Sequence, residues 1–260
     1  GRTLEFLINT NNNNKEFVLA TSDKFLYDNR VDHGYSIKYK ENDFSDSQSY
    51  RLNTLAVKTS FDYKFSDYTY HNIGLGYSLK DYQVTNSATV SNSIKDSEGG
   101  SINFIISNEL TRNTLNSNFK PSRGNFIGFS NLLETPSSSN NGSIRNIITA
   151  KKYYSFNKNI FSAQGKIGNI FSLNDSEILS DNKFSLGGRW LRGFDAFGVG
   201  PRNSRTSYVG GNNILALKLD FSKPISLNEQ NPIYFNLFND YGSVWGNKNA
   251  VSNSDQDLRI

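Results

Sequence analysis

The stretch Phe184-Ser185-Leu186-Gly187-Gly188-Arg189-Trp190-Leu191-Arg192-Gly193-Phe194-Asp195-Ala196-Phe197-Gly198-Val199-Gly200-Pro201-Arg202 is where side-chain types and spacing could do chemistry. It holds five Gly and three Arg, a composition suited to a tight, specifically folded insert rather than a solvated loop. Glycine permits positive φ and close backbone approach. Arg192 offers a planar, permanently charged fork that can grip carboxylates from two directions. Two later segments each carry one Asp within reach of such a fork. Asp220 is in phase with Lys218 and out of phase with Leu219; Asp240 is in phase with Asn236 and Gly242 and out of phase with Leu237, Tyr241 and Trp245. The chemistry on offer is a charge-assisted clasp of Arg192 on Asp220 and Asp240. Breaking such a pair in desolvated surroundings costs about 3–5 kcal/mol.

Other chemistries find little support. The chain has no Cys, which removes thiolate nucleophiles, disulfides and Cys-based zinc or iron sites. His33 sits in a turn-rich stretch and His71 on the face of Ile73; without a G-x-S-x-G or a His/Asp spacing they read as surface or girdle histidines. Gly198-Val199-Gly200 runs into Pro201 with no helical pattern behind it, so it is no phosphate loop. Asp23, Asp28, Asp43 and Asp46 read as polar-loop residues that lack the order of a calcium loop. Lys151-Lys152-Tyr153-Tyr154 lies within an alternating strand, where it suits lumen or interface anchoring better than a nucleic-acid patch. Charge is scattered, with 28 Lys+Arg against 24 Asp+Glu and a net of +4, which disfavours nucleic acid as a partner. No catalytic residue, metal or cofactor is expected.

The elements that must position the clasp are strands. No run approaches the ~18 apolar residues of a membrane helix. Twenty Gly, 14 Tyr and 19 Phe beside 5 Pro describe many strands joined by Asn/Ser-rich turns, an all-β chain. Period two is explicit. Leu55, Val57, Phe61, Tyr63 and Phe65 oppose Thr54, Lys58, Ser60, Asp62 and Lys64; Ile73, Leu75, Tyr77 and Leu79 oppose Asn72, Gly74, Gly76, Ser78 and Lys80. Eleven such segments are predicted, near 2–9, 16–22, 34–44, 51–65, 69–84, 101–111, 125–134, 144–156, 160–172, 211–222 and 233–245. Several exceed the ~5–6 residues usual in a soluble sandwich and carry aromatics near their ends, which favours a transmembrane antiparallel β-barrel over a soluble adhesin-like sandwich. No second domain or linker is visible. The absence of Met and the opening Gly1-Arg2-Thr3-Leu4 in mid-strand pattern read as a piece of a longer protein.

With its motifs in view the chain resembles the Omp85 superfamily. The family's loop motif stands as Gly187-Gly188, Arg192-Gly193-Phe194 and Gly198-Val199-Gly200-Pro201-Arg202. Gly210-Gly211-Asn212 leading to Leu219-Asp220-Phe221 and Pro224, then Phe238-Asn239-Asp240-Tyr241-Gly242-Ser243-Val244-Trp245, agree in order and spacing. Phe119-Lys120-Pro121-Ser122-Arg123-Gly124 looks like a family turn with Lys120 inserted. The likeness is firm from about Ser101 onward and rests on strand order before that.

The resemblance implies a sixteen-stranded bacterial outer-membrane barrel behind several periplasmic POTRA domains. The chain would hold its third to thirteenth strands, about eleven, with Asp257-Leu258-Arg259-Ile260 entering the fourteenth; the seam strands and POTRA domains would lie outside. Residues 174–210 would be the long sixth extracellular loop, folded inward so that Arg192 docks on Asp220 and Asp240. The implied function is that of an insertase that folds outer-membrane β-barrel proteins by strand templating. The implied partners are those unfolded proteins, accessory lipoproteins, periplasmic chaperones and outer-membrane lipid, with no cofactor and no nucleic acid. Rivals are other superfamily members, TamA-like or two-partner secretion translocators, and a passive porin-type channel. The Gly198-Val199-Gly200-Pro201-Arg202 continuation favours the assembly branch, and a porin needs no Arg-Gly-Phe with two carboxylate partners.

Overall fold

Alternation becomes strand in eleven places. In a computed structural model of the protein, which describes residues 1–24, 30–90, 92–136, 142–174, 177–179, 181–195, 198–202, 208–226 and 233–247, the strands are β1 (Arg2–Asn11), β2 (Asn14–Asp23), β3 (Val31–Asp43), β4 (Tyr50–Ser66), β5 (Thr69–Val84), β6 (Ser101–Asn113), β7 (Gly124–Pro136), β8 (Ser143–Phe156), β9 (Asn159–Ser172), β10 (Asn213–Ser226) and β11 (Ile233–Trp245). Two one-turn helices, α1 (Ser45–Gln48) and α2 (Asn92–Lys95), sit in the β3–β4 and β5–β6 connections. All eleven strands form one sheet in chain order. β1 to β5 pair antiparallel in succession, as do β9, β10 and β11, from Arg2 opposite Asp23 to Asn213 opposite Trp245. Each expected segment coincides with one strand to within a few residues. The expected fourteenth-strand start at 257–260 lies outside the described residues.

Local chemistry explains the turns. Asn157 and Lys158 both take positive φ, 48° and 65°, as a two-residue hairpin connection needs to follow the twist of its strands. At the 114–123 connection the Asn116 side-chain oxygen accepts hydrogen bonds from the Ser122 and Arg123 amides at 3.0 and 3.1 Å, an internal brace for the Phe119–Gly124 motif. One expectation fails here. His33 lies inside β3, opposite Asp23 on β2 and Phe61 on β4, with its ring stacked on Phe61 at 4.5 Å. Its neighbours Asp32 and Gly34 are poor strand formers, and cross-strand pairing overrides them. Asp23 and Asp43 likewise close β2 and β3 rather than lying in loops, and Asp46 lies in α1; Asp28 is outside the described residues.

The two faces of the strands differ as their period predicts. Tyr35, Ile37 and Tyr39 on β3, Leu55 and Val57 on β4, Ile73, Leu75, Tyr77 and Leu79 on β5, and Leu215, Leu217 and Leu219 on β10 are all exposed. An exposed apolar face of this extent would drive aggregation in water, whereas hydrocarbon solvates it. No helix among the described residues is long and apolar enough to cross a membrane.

The chain divides into two compact units. The first comprises residues 1–110, 130–145 and 170–182, and its core is the cluster of Tyr50, Leu52, Tyr82, Val90, Ile94 and Leu179, with Phe44 and Val84 packed against it. The second comprises residues 111–129, 146–169 and 183–260. Its buried apolar residues are Phe184, Leu186, Leu191 and Val199 from the β9–β10 connection and Ile214, Ala216 and Val244 from β10 and β11.

Candidate functional site

The β9–β10 connection, 173–212, builds its own scaffold before it presents any side chain. Phe184 and Gly211 exchange both backbone hydrogen bonds, at 2.8 and 2.9 Å, and close the stem of the loop. A second bridge joins Leu186 to Val199 and a third joins Arg202 to Tyr208. Between Leu186 and Val199 the tip folds on itself. The Gly188 amide donates to the Phe194 carbonyl at 2.8 Å, and the Gly198 amide to the Asp195 carbonyl at 2.8 Å. Gly187 has φ +140°, and a Cβ there would run into the Asp195 carbonyl, so glycine is required twice over, by dihedral and by space.

The tip rests on the polar face of β10 and β11. Leu191 is wholly buried and Leu186 lies against Gly242, where a side chain would collide with it. The Lys166 ammonium stands 5.3 Å over the Trp190 ring. Lys218 donates to the Arg189 carbonyl at 2.8 Å.

Arg192 is the side chain that this scaffold delivers. Its backbone N–H donates to Asp240 Oδ2 at 2.9 Å and its Nε to the same oxygen at 2.7 Å, while Nη2 donates to Asp240 Oδ1. Nη1 reaches Asp220 Oδ1 at 2.6 Å. Asp220 Oδ2 in turn accepts from the Ser162 hydroxyl on β9 at 3.2 Å. The guanidinium carbon stands 3.9 Å over the Phe238 ring. The fork is therefore bound along its edges by two carboxylates and across its plane by an aromatic face. The hydrogen bonds that the guanidinium donates to Asp240, and then to Asp220, raise its hold on its proton against the opposing effect of burial. Asp240 is 3% exposed at its side chain against 31% for Arg192 and 20% for Asp220. Asp240 is the dry end of the clasp.

The remaining motif residues lie around this centre. Gly193, with φ +89°, reverses the chain directly after Arg192, and Phe194 is half-buried behind it. Gly200, with φ +131°, passes close to Val244. The Pro201 carbonyl accepts from the Val209 amide at 2.9 Å, and the Arg202 guanidinium bonds the Tyr208 hydroxyl and stacks 4.2 Å over its ring. Of the expected 174–210 segment, residues 175, 176, 180, 196, 197 and 203–207 lie outside the described residues. Reading the sequence missed Phe238 and Ser162. Phe238 was discoverable, since it shares parity with Asp240 on the same face of β11.

Residues 1–259 match the Omp85 superfamily domain. The chain belongs to the Omp85 superfamily. Omp85 membership makes it an outer-membrane β-barrel protein of a non-enzymatic family. This Omp85 chain is 26% identical over 232 residues to the outer membrane protein assembly factor BamA of Neorickettsia risticii (strain Illinois), covering 86% of the chain and 30% of that relative. Its fold matches the crystal structure of BamA from Haemophilus ducreyi lacking POTRA domains 1–3 with a TM-score of 0.81, at 20% identity over 95% of this chain and 53% of that one. CdiB from Acinetobacter baumannii matches with a TM-score of 0.56, at 12% identity over 94% of this chain and 42% of that one. The Omp85 chain thus spans under a third of the curated relative and about half of the solved BamA chain.

Proposed function

We propose that the chain is the barrel portion of an outer-membrane protein assembly factor of the BamA type, which folds and inserts β-barrel proteins into the bacterial outer membrane. The observation that carries this reading is the clasp of Arg192 on Asp240 and Asp220 at the centre of the Arg192-Gly193-Phe194 loop. The similarity to a curated BamA supports it. In this reading residues 1–260 supply the third to thirteenth strands of sixteen behind POTRA domains, and 174–210 is the sixth loop. The clasp keeps that loop fixed on β10 and β11 while the barrel seam, formed by strands outside this chain, opens. Strand templating does the work at the seam. Unpaired N–H and C=O groups on an open edge pair with an incoming strand and spare it from carrying bare polar backbone into lipid. The partners are unfolded outer-membrane β-barrel proteins, accessory lipoproteins of the assembly machinery, periplasmic chaperones and outer-membrane lipid; no cofactor takes part.

The test is the folding rate of an unfolded outer-membrane protein added to liposomes that contain the full-length protein, with native Arg192 or with Arg192→Glu. Acceleration that the substitution abolishes is expected. Steady ion conductance without acceleration assigns a channel instead. Release of a soluble exoprotein across the bilayer assigns a secretion translocator.

A further inference from the structure

A second buried charge cluster lies in the first unit, where the β9–β10 connection leads into the Arg192 motif. β5 carries Lys80 on its polar face, opposite Thr54 of β4. Its ammonium stands 2.7 Å from Glu134 Oε1 on β7 and 3.0 Å from Asp181 Oδ2, and it donates to Asn182 Oδ1 at 3.5 Å. The three charged side chains are 10%, 8% and 9% exposed. Tyr82 donates its hydroxyl to the other Asp181 oxygen at 3.0 Å, and the Asn182 side-chain amide donates to Glu134 Oε2 at 3.3 Å. Arg145 on β8 adds a positive charge that acts on both carboxylates. Two cations therefore balance two anions, the condition under which buried charge is tolerated.

The loop side of this cluster is a turn. The Asn182 amide donates to the Leu179 carbonyl at 3.0 Å, and Leu179 is buried in the apolar cluster with Tyr50, Tyr82, Val90 and Ile94. Within four positions the segment supplies an apolar plug, a carboxylate and a carboxamide, and each finds a prepared partner on the strands.

We infer that Leu179, Asp181 and Asn182 form a second anchor of the β9–β10 connection, independent of the Arg192 clasp, with Lys80 as its positioning residue. Lifting the segment takes Asp181 and Asn182 from Lys80 together and leaves the ammonium with Glu134 alone. At 10% and 8% exposed, the ammonium and Glu134 have little water to replace the lost partners. The Arg192 fork, 31% exposed, keeps contact with solvent; Lys80, at 10%, does not. Of the two anchors the Lys80 cluster is the one that resists release. This concerns how the connection is held and does not rest on the assembly reading.

The chain has no native Cys, so single introduced cysteines report on each anchor separately. Ile178 is buried beside the second anchor and Leu191 beside the clasp. In the full-length protein in membranes, with any cysteine outside this chain replaced, maleimide labelling of Ile178→Cys and Leu191→Cys is compared in three backgrounds: Lys80→Met, Asp181→Asn and Lys80→Arg. Lys80→Met and Asp181→Asn are expected to raise labelling at position 178 at least tenfold and to leave position 191 within twofold, with Lys80→Arg near the native level. Asp181 lies on the loop, so its variant leaves the strand wall unaltered; heat-modifiable migration verifies the barrel in each case. Labelling at position 178 that stays within twofold of native in folded Lys80→Met and Asp181→Asn protein overturns the anchor. Labelling that rises equally at both positions overturns its independence.

Discussion

Asp240 accepts from the backbone amide, the Nε and the Nη2 of one residue, Arg192, while Asp220 shares its oxygens between Arg192 and Ser162. The two carboxylates are therefore unequal. Asp240→Asn is expected to lower the stability of the docked loop by about 3 kcal/mol, the low end for breaking a buried pair because Arg192 stays partly solvated. Asp220→Asn is expected to cost about 1 kcal/mol; denaturant titration of labelling at Leu191→Cys compares them. Arg192→Lys is expected to behave like the Asp240 variant, since a point charge cannot hold two carboxylates in a fork. The same titration on Phe238→Leu is expected to show a loss of about 0.5–2 kcal/mol, the cation–π share of the contact. The facing of the two Asp was legible because period two leaves each residue only two directions. Lys80 with Asp181 was not. Their contact spans 101 positions, and no periodicity connects a lysine in a strand to an aspartate in an irregular loop.

At the scale of elements, β10 carries both solvents on one strand. Leu217 faces outward with the exposed Leu215 and Leu219, while Lys218 and Asp220 face the docked loop. Leu217→Arg is expected to destabilise folding into bilayers by about 2–4 kcal/mol if it lies near the midplane. Ser222→Arg, on the polar parity, is expected to change it by less than about 1 kcal/mol; urea-dependent folding into lipid vesicles separates the two. Gly242→Val tests the seat of the loop from the strand side. With Leu186 already against Gly242, the added side chain is expected to displace the tip and expose Leu191→Cys to maleimide while the strands remain paired. The strands were readable in sequence because each repeats a simple alternation over 10 to 17 residues. Their ends were less so. Tyr50, Leu52 and Tyr82 break the pattern by placing apolar groups on the wet side, where they hold the cluster that receives Leu179.

For the whole molecule, β1 and β11 each have a neighbour on one side only in the described sheet. Expressed alone, the 260-residue chain is expected to aggregate or to fail to insert, because two long unpaired edges cannot be left in hydrocarbon. Absence of a heat-modifiable band in detergent is the expected result. Within the sheet every strand bonds to its neighbour in sequence, so the meander can grow hairpin by hairpin with little cost in loop closure. The β9–β10 connection breaks that locality, since Asp181 must find Lys80 and Tyr82 across 101 and 99 positions. Its partners on β5 and β7 exist as a site only after those strands have paired. The connection consequently keeps time for the fold: its docking follows the formation of the wall, and a molecule whose loop is seated is one whose earlier hairpins are already complete.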